Sequence, residues 1–466
     1  MTGVTTIPSG SWRELLGRER LGTATVLAGG VGLYATNEFL TISLLPSTVA
    51  DIGGQRFYAW VVTVYLVGSV MAATTVNPLL MRFGPRISYL LTLTLFGAGT
   101  VGCAIAPTME MLLVARTVQG AAGGMLAGLG YAVINAALPN RLWTRASALV
   151  SAMWGVSVII GPAMGGLFAQ LGIWRWAFGS LALATVAMAA LVPGALPSRD
   201  KTDLAPAALT RIPVWSLLLL GTAALAISVA GVQRTAVATA GLLALGVALV
   251  GFFLVIDRRA QATVLPRAAF GPGPLKRMYA TVGLLMAATM VDMYVPLFGQ
   301  RLAGMAPLAA GFLGAVLAVG WTLSEIASAS VNQTRVVVRL VAASPAIMAV
   351  GLGLAALAMR GPPAGPVIAL WVVALFIAGT GVGIGWPHLS AWIMGALDDP
   401  VESGAAAAAI NTVQLISGAF GAGLAGVVVN MTNGGDVATA RWLFGMFAAL
   451  AAVGVVAAYR SSPVAK

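Results

Sequence analysis

Charge is what this sequence has least of. Only 9% of its residues are Asp, Glu, Lys or Arg, where a water-soluble domain carries about 25%, and that shortage excludes a soluble fold. Histidine and cysteine occur once each, as His388 and Cys103. One imidazole and one thiol supply neither a disulfide framework nor metal-ligand spacing. No metal or cofactor is therefore expected, and scattered acids with a single histidine argue against an intramembrane enzyme. The net charge of +12 is no nucleic-acid footprint, because the cations sit in short connections between apolar runs rather than on one patch.

What fills the chain instead is hydrocarbon: 59% of residues are hydrophobic, in runs of about twenty, each able to cross roughly 30 Å of bilayer at about 1.5 Å per residue. Fourteen such windows are expected, from 22–45 at one end of the chain to 440–459 at the other. The polar start ending in RELLGRER precedes an apolar segment too long for a signal-peptide core, so a retained first span is predicted.

The basic residues orient these spans. With a cytoplasmic N-terminus, nineteen Lys and Arg fall in inside segments, six in outside connections, and Arg116 within a span. Short cytoplasmic loops carry such an excess, so an even number of crossings with both termini cytoplasmic is predicted. Two longer connections rich in proline and charge, 197–213 and 257–278, bracket a compact hairpin. The expected layout is an all-α polytopic membrane protein. Residues 1–196 form one six-helix bundle, 197–278 a linker containing the two-helix hairpin 214–256, and 279–466 a second six-helix bundle. Parallel halves of this kind hold a substrate between them near the membrane midplane.

Few polar groups lie inside the spans, and each is costly: a carboxylate at the bilayer centre costs roughly 2.5–3.5 kcal/mol on insertion scales. Glu38 stands about 24 Å along span 1 at 1.5 Å per residue, in a stripe with Tyr34 and Thr41, beside Asn37. Asp292 occupies the comparable place in span 9, about 20 Å along by the same rise, between Thr289 and Pro296. Span 9 opens the second block as span 1 opens the first. Since removal from water favours the protonated form of a carboxyl group, the pair is expected to bind and release protons; the bland alternative is an acid tied to a fixed hydrogen bond. Arg116, followed one turn on by Gln119 and Gly120, is expected to face the interior cavity and to attract a carboxylate or polarise water. Asn411, Gln414 and Gly418 form a polar stripe on span 13, for helix contact or cavity lining. Ser157, Gly161, Pro162, Gly165 and Gly166 would let span 5 approach its neighbours and bend. Glu325 is expected to pair with Arg335 or Arg339 at a helix end, and His388 to be interfacial.

Assembled, these segments resemble the fourteen-span drug:proton antiporters of the major facilitator superfamily over nearly the whole chain. NEFLTISLLPSTVADIGG is similar to the first-span signature, with Asn37 and Glu38 where an acid is expected. LLVARTVQGAAGG matches the fourth-span motif through Arg116, Gln119 and Gly120, a position the family associates with proton transfer. SVIIGPAMGG matches the fifth-span antiporter motif, and WRWAF after it is typical. The gating loop after span 2 departs: NPLLMRFGPR keeps Leu79, Arg82, Gly84 and Arg86, but has Asn77, Met81 and Pro85 where the family has Gly, Asp and a basic residue. In the family that Asp helps latch the cytoplasmic gate. The resemblance implies a monomeric inner-membrane protein handling a small-molecule substrate and protons, by antiport of lipophilic or cationic compounds. An exporter of an endogenous lipid or secondary metabolite, and a non-transporting membrane sensor, are the rival readings.

Overall fold

A computed structural model of the chain describes residues 11–198, 212–233, 235–360, 365–397, 400–459 and 461. Most of the linker between spans 6 and 7, and Arg234, Arg460 and Lys466 of the charge count, lie outside the described residues.

A chain that meets lipid must satisfy its backbone internally, which leaves helices or closed barrels. Among the described residues there are helices and no strands. After a short α1 (Trp12–Leu15) come α2 (Leu21–Ile52), α3 (Trp60–Ala73), α4 (Val76–Ile105), α5 (Met109–Ala132), the short α6 (Ile134–Ala137), α7 (Trp143–Gln170) and α8 (Arg175–Ala195). The hairpin is α9 (Val214–Val232) and α10 (Ala236–Arg259). Then follow α11 (Leu275–Thr289), α12 (Val295–Ala303), α13 (Pro307–Ser328), α14 (Thr334–Ala358), α15 (Gly365–Met394), α16 (Pro400–Met431) and α17 (Gly435–Tyr459).

Local chemistry sets the ends. The Thr108 hydroxyl accepts from the Met111 N–H at the start of α5, and the Thr235 hydroxyl does the same for Ala238 at α10, each satisfying a backbone donor that the first turn leaves unpaired. Gly304 closes α12 at φ 61°, and Pro307 opens α13 two residues after the connecting Met305. The loop expected after span 2 is not a loop. Helical turns run through it, broken at Gly84, whose φ of 74° and ψ of 174° an L-residue avoids. Pro85 then starts the next helical stretch.

In the first half α2 packs on α7, α5 and α8, while α4 packs on α5 and α8. In the second, α14 packs on α15 and α17, α13 on α15, and α11 on α16 and α17. Contacts between halves run along α7–α13 and α3–α16, and the hairpin's α9 leans on both α3 and α16. Its companion α10 is the span most open to lipid, with only 17% of its apolar window buried.

Thirteen helices among the described residues are long and apolar enough to cross a membrane, one fewer than the expected fourteen. The one that falls short is α2. Its 32 residues reach about 48 Å at 1.5 Å per residue, so length is ample; Tyr34, Asn37, Glu38 and Thr41 in its middle dilute its apolarity. Span 9 also departs from expectation. It is no continuous helix but α11 and α12 joined by a 3-10 turn, Met290–Tyr294.

Candidate functional site

The stripe on α2 divides its labour. Tyr34 is 2% exposed, its ring stacked on Tyr65 at 5.8 Å and set edge-on to Trp154 at 5.7 Å. Thr41 is buried, as expected of the stripe, and its hydroxyl donates to the Asn37 carbonyl of its own helix at 2.7 Å. Threonine on a helix readily spends its hydroxyl on a carbonyl four residues back. Glu38 is different: it is only partly buried and makes no hydrogen bond or ion pair with a described residue. Its charge nevertheless lies within electrostatic reach of Arg116 and of Asp292.

Behind that stripe Arg116 is closed in, at 1% exposure. Its Nε donates to the Val61 carbonyl at 3.2 Å, and one terminal nitrogen donates to Asn37 Oδ1 at 3.2 Å and to Gln119 Oε1 at 2.6 Å. The guanidinium carbon rests 4.1 Å from the Tyr65 ring centroid, a cation–π contact. Gln119 passes the network on, its Nε2 donating to Thr100 Oγ1 at 2.8 Å, while the Cys103 thiol donates to its Oε1 at 3.7 Å. An open, cavity-facing arginine is therefore not what the fold builds. The helices α2, α3, α4 and α5 meet around a cation that holds neutral oxygens and no carboxylate. Asn37 keeps an unpartnered, buried Nδ2.

Asp292 sits in the 3-10 turn of span 9, 8% exposed, with Oδ1 buried and unpartnered. A broken helix at membrane depth persists where it is buried in protein or lines a cavity, and this turn packs against α2, α13 and α16. Thus the breakpoint of one half faces the polar helix of the other. Tyr58 closes the same junction: its hydroxyl donates to the Met293 carbonyl at 3.2 Å, and its ring stacks on Tyr294 at 4.7 Å. Phe298 and Phe444 extend the aromatic stack. Tyr58, Tyr65, Trp154 and Tyr294 were not singled out by sequence. Aromatics are common in membrane spans, and nothing in their spacing separates these four from the rest.

The small residues of α7 do what their size suggests. A Cβ on Gly161 would stand 2.5 Å from the Phe39 Cβ, and one on Gly165 2.5 Å from the Leu40 carbonyl oxygen, both on α2. One on Gly166 would stand 2.6 Å from the Leu308 Cα on α13, in the other half. Pro162 leaves its carbonyl to accept from Ser43 at 3.4 Å. Ser157, fully buried, shares a 3.0 Å hydrogen bond with Thr36. So α7 is wedged between α2 and α13 at van der Waals limits.

The remaining expectations scatter. Asn411 is exposed and Gln414 half-buried, with no hydrogen bond to a described residue, whereas Gly418 is buried, its α-carbon facing Leu66. Glu325 forms no ion pair with Arg335 or Arg339. The short non-helical link before Thr334 carries those arginines onto the next helix. His388 is buried, within 2.9 Å of the Ser328 hydroxyl. In the gating segment the Arg86 Nε donates to the Leu196 carbonyl at 3.0 Å, and Arg82 lies over the Phe83 ring.

This arrangement can be set beside known proteins. The sequence profile of the Major Facilitator Superfamily matches residues 27–422. A protein of Mycobacterium tuberculosis described as a "probable multidrug-efflux transporter" is 62% identical over 457 residues, 97% of each chain. Multidrug resistance protein 3 of Bacillus subtilis is 24% identical, over 79% of this chain and 72% of its own. Among solved structures, a D-xylose-proton symporter superposes with a TM-score of 0.63 at 16% identity, covering 93% of this chain and 97% of that one. A POT family transporter crystallised with 5-aminolevulinic acid gives 0.69 at 11%, over 94% and 96%. The fold, the profile and the long alignment agree, and the chain belongs to the Major Facilitator Superfamily, as a membrane transporter rather than an enzyme.

Proposed function

We propose that the chain exports small lipophilic or cationic compounds across the cytoplasmic membrane in exchange for protons, by alternating access. The observation that carries this is the pair Glu38 and Asp292. Each lies deep in the bundle, in a different half, within reach of the other's charge, and neither is tied to a cation or fully hydrogen-bonded. An acid kept unpaired inside a membrane costs stability, and its persistence is accounted for if it trades a proton for cargo. Drug efflux as the process is supported by the relative of 62% identity described as a multidrug-efflux transporter.

In this mechanism Glu38 and Asp292 exchange proton for substrate. Trp154, half-buried beside Tyr34, offers an aromatic surface to a lipophilic cation. Arg116, held by Asn37 and Gln119, acts as a fixed positive background that tunes Glu38. The Gly161–Gly166 contacts let α7 rock between α2 and α13. Exchange requires that proton and cargo favour different states, since a ligand with equal affinity for both shifts nothing. The unit is a monomer; both termini are cytoplasmic, an orientation supported by nineteen basic residues against six.

The test is transport in proteoliposomes under an imposed pH gradient, for wild type, Glu38→Gln and Asp292→Asn. Uptake of a cationic dye should require the gradient and fail in the variants; if both variants keep gradient-driven uptake, proton exchange at these acids is wrong. A second reading, export of an endogenous lipid or metabolite, is favoured by the altered gating motif at Asn77, Met81 and Pro85. Gradient-driven movement of lipid but not dye would select it.

A further inference from the structure

The base of the α9–α10 hairpin gathers positive charge that the transport site does not use. Residues 257–278 hold five cations, Arg258, Arg259, Arg267, Lys276 and Arg277, against one acid, Asp257, a balance of 5 − 1 = +4. That acid is fully occupied. Buried in the last turn of α10, Asp257 accepts through Oδ1 from the Ser216 hydroxyl and the Val264 N–H, both at 2.8 Å, and through Oδ2 from the Leu265 N–H at 2.9 Å. It pins the returning chain to the start of α9 and is not spent on the arginines beside it. Arg258 and Arg259 are exposed and make no hydrogen bond or ion pair with any described residue.

Two cavities flank them. One, of about 490 Å³, is walled by Arg258, Arg259, Leu254, Val255 and Phe270. The other, of about 520 Å³, shares Arg259 and is walled across from it by Trp215 and its neighbours at the start of α9. The apolar walls face outward: Leu254 is 43% and Val255 48% exposed, on α10, the hairpin helix most open to lipid, and Trp215, at the start of α9, is 75% exposed. Guanidinium groups at the rim, a tryptophan at the boundary and bare aliphatic wall beyond them describe one kind of ligand. A soluble anion has no use for the wall, and a neutral lipid has no use for the guanidinium pair. Arginine suits phosphate through its forked donors, tryptophan settles at headgroup level, and basic pockets at helix ends take anionic headgroups.

We propose that the base of this hairpin binds an anionic phospholipid, with Arg258 and Arg259 on the headgroup phosphate and Leu254, Val255 and Phe270 against the upper acyl chains. The site sits on the element that bridges the halves: Trp60 Nε1 on α3 donates to the Ser228 carbonyl of α9 at 3.1 Å, and Gly231 packs on Gly426 of α16. It does not depend on what the transporter carries.

The test is native mass spectrometry of the purified full chain titrated with phosphatidylglycerol, phosphatidylcholine or inorganic phosphate. Wild type should retain phosphatidylglycerol in preference to phosphatidylcholine. The double variant Arg258→Gln/Arg259→Gln should bind it about thirtyfold more weakly, roughly fivefold per cation near a lipid surface. Arg360→Gln, at an exposed arginine elsewhere, should bind as wild type does. Should the double variant fail to fold, each single variant carries the same prediction at roughly fivefold. Equal retention by wild type and variants, or of both lipids, overturns the site; displacement by millimolar inorganic phosphate overturns the lipid in favour of a free anion.

Discussion

Acids at the ends of helices and acids inside the bundle are treated in opposite ways by this protein. Glu14 is bridged by Arg20 and Arg141, Asp51 by Arg175 and the Trp174 indole, Asp257 by a hydroxyl and two amides, and Asp436 by Arg301. Each is satisfied at a helix end, three of them where water could reach and Asp257 in a buried turn. Glu38 and Asp292 lie where desolvation is costliest, yet Glu38 has no partner and Asp292 keeps a bare oxygen. Arg116, near enough to sense Glu38, is hydrogen-bonded to neutral oxygens instead. A fold that pairs these four carboxylates at its periphery and leaves its central ones open is not solving a stability problem at the centre.

The largest expected effect tests that contrast directly. Glu38→Gln or Asp292→Asn should cut gradient-driven transport at least about tenfold, the factor that 1.4 kcal/mol of lost differential stabilisation gives. Both should leave the thermal unfolding midpoint unchanged or raised, since an unpaired acid inside the bundle has been made neutral. A fall in midpoint matching the fall in transport would instead make the central acids structural, and the contrast would collapse.

Asp257→Ala should do the reverse. It strands the Ser216 hydroxyl and the Val264 and Leu265 N–H groups, and at roughly 1–3 kcal/mol per buried unsatisfied group the cost is about 3 kcal/mol or more. Denaturation in detergent should show it, with transport per folded molecule retained. Gly165→Ala comes next. Its new Cβ would meet the Leu40 carbonyl at 2.5 Å, and overpacking of this kind costs about 1–3 kcal/mol. Transport should fall further than stability, because the contact is one that α7 must slide against. Gly241→Ala on α10 meets nothing within 4 Å and should be neutral or stabilising by up to about 1 kcal/mol.

Much of the fold was legible because bilayer physics leaves few choices. Apolar runs of span length had to be helices, and the stretch 260–274 within the charged segment 257–278 lies between two of them. Glu38 and Asp292 stood out because a charge in hydrocarbon is conspicuous. What stayed hidden is what depends on neighbours. The 3-10 break at Met290–Tyr294 carries no glycine, and its one proline, Pro296, follows it, so span 9 read as continuous. Arg116 looked like a cavity residue because spacing cannot reveal that Asn37, Val61 and Tyr65, on two other helices, would enclose it. Thr41 is buried as its place in the polar stripe suggested, but the spacing did not show that its hydroxyl bonds to its own helix.

The smallest effect belongs to the exposed edge. Arg20 and Arg141 hold the Glu14 carboxyl down from the usual 4.5 to about 2, clamping α1 near the start of α7. A depressed acid contributes in full above its unfolded value and loses that contribution as pH falls through its folded one. Wild type and Glu14→Gln should therefore differ by a constant amount above pH 4.5, and the gap should close between 4.5 and about 2. Because the cluster is open to water, about 1 M salt, with its screening length of about 3 Å, should shrink the difference at neutral pH. Hydrogen exchange at the N–H groups of Trp12–Leu15 reads this locally, without needing the whole bundle to unfold. Exchange there that ignores both pH and salt would mean that apolar contacts through the buried Leu15 hold the segment, and that even the paired acids of the periphery are not what keeps it in place.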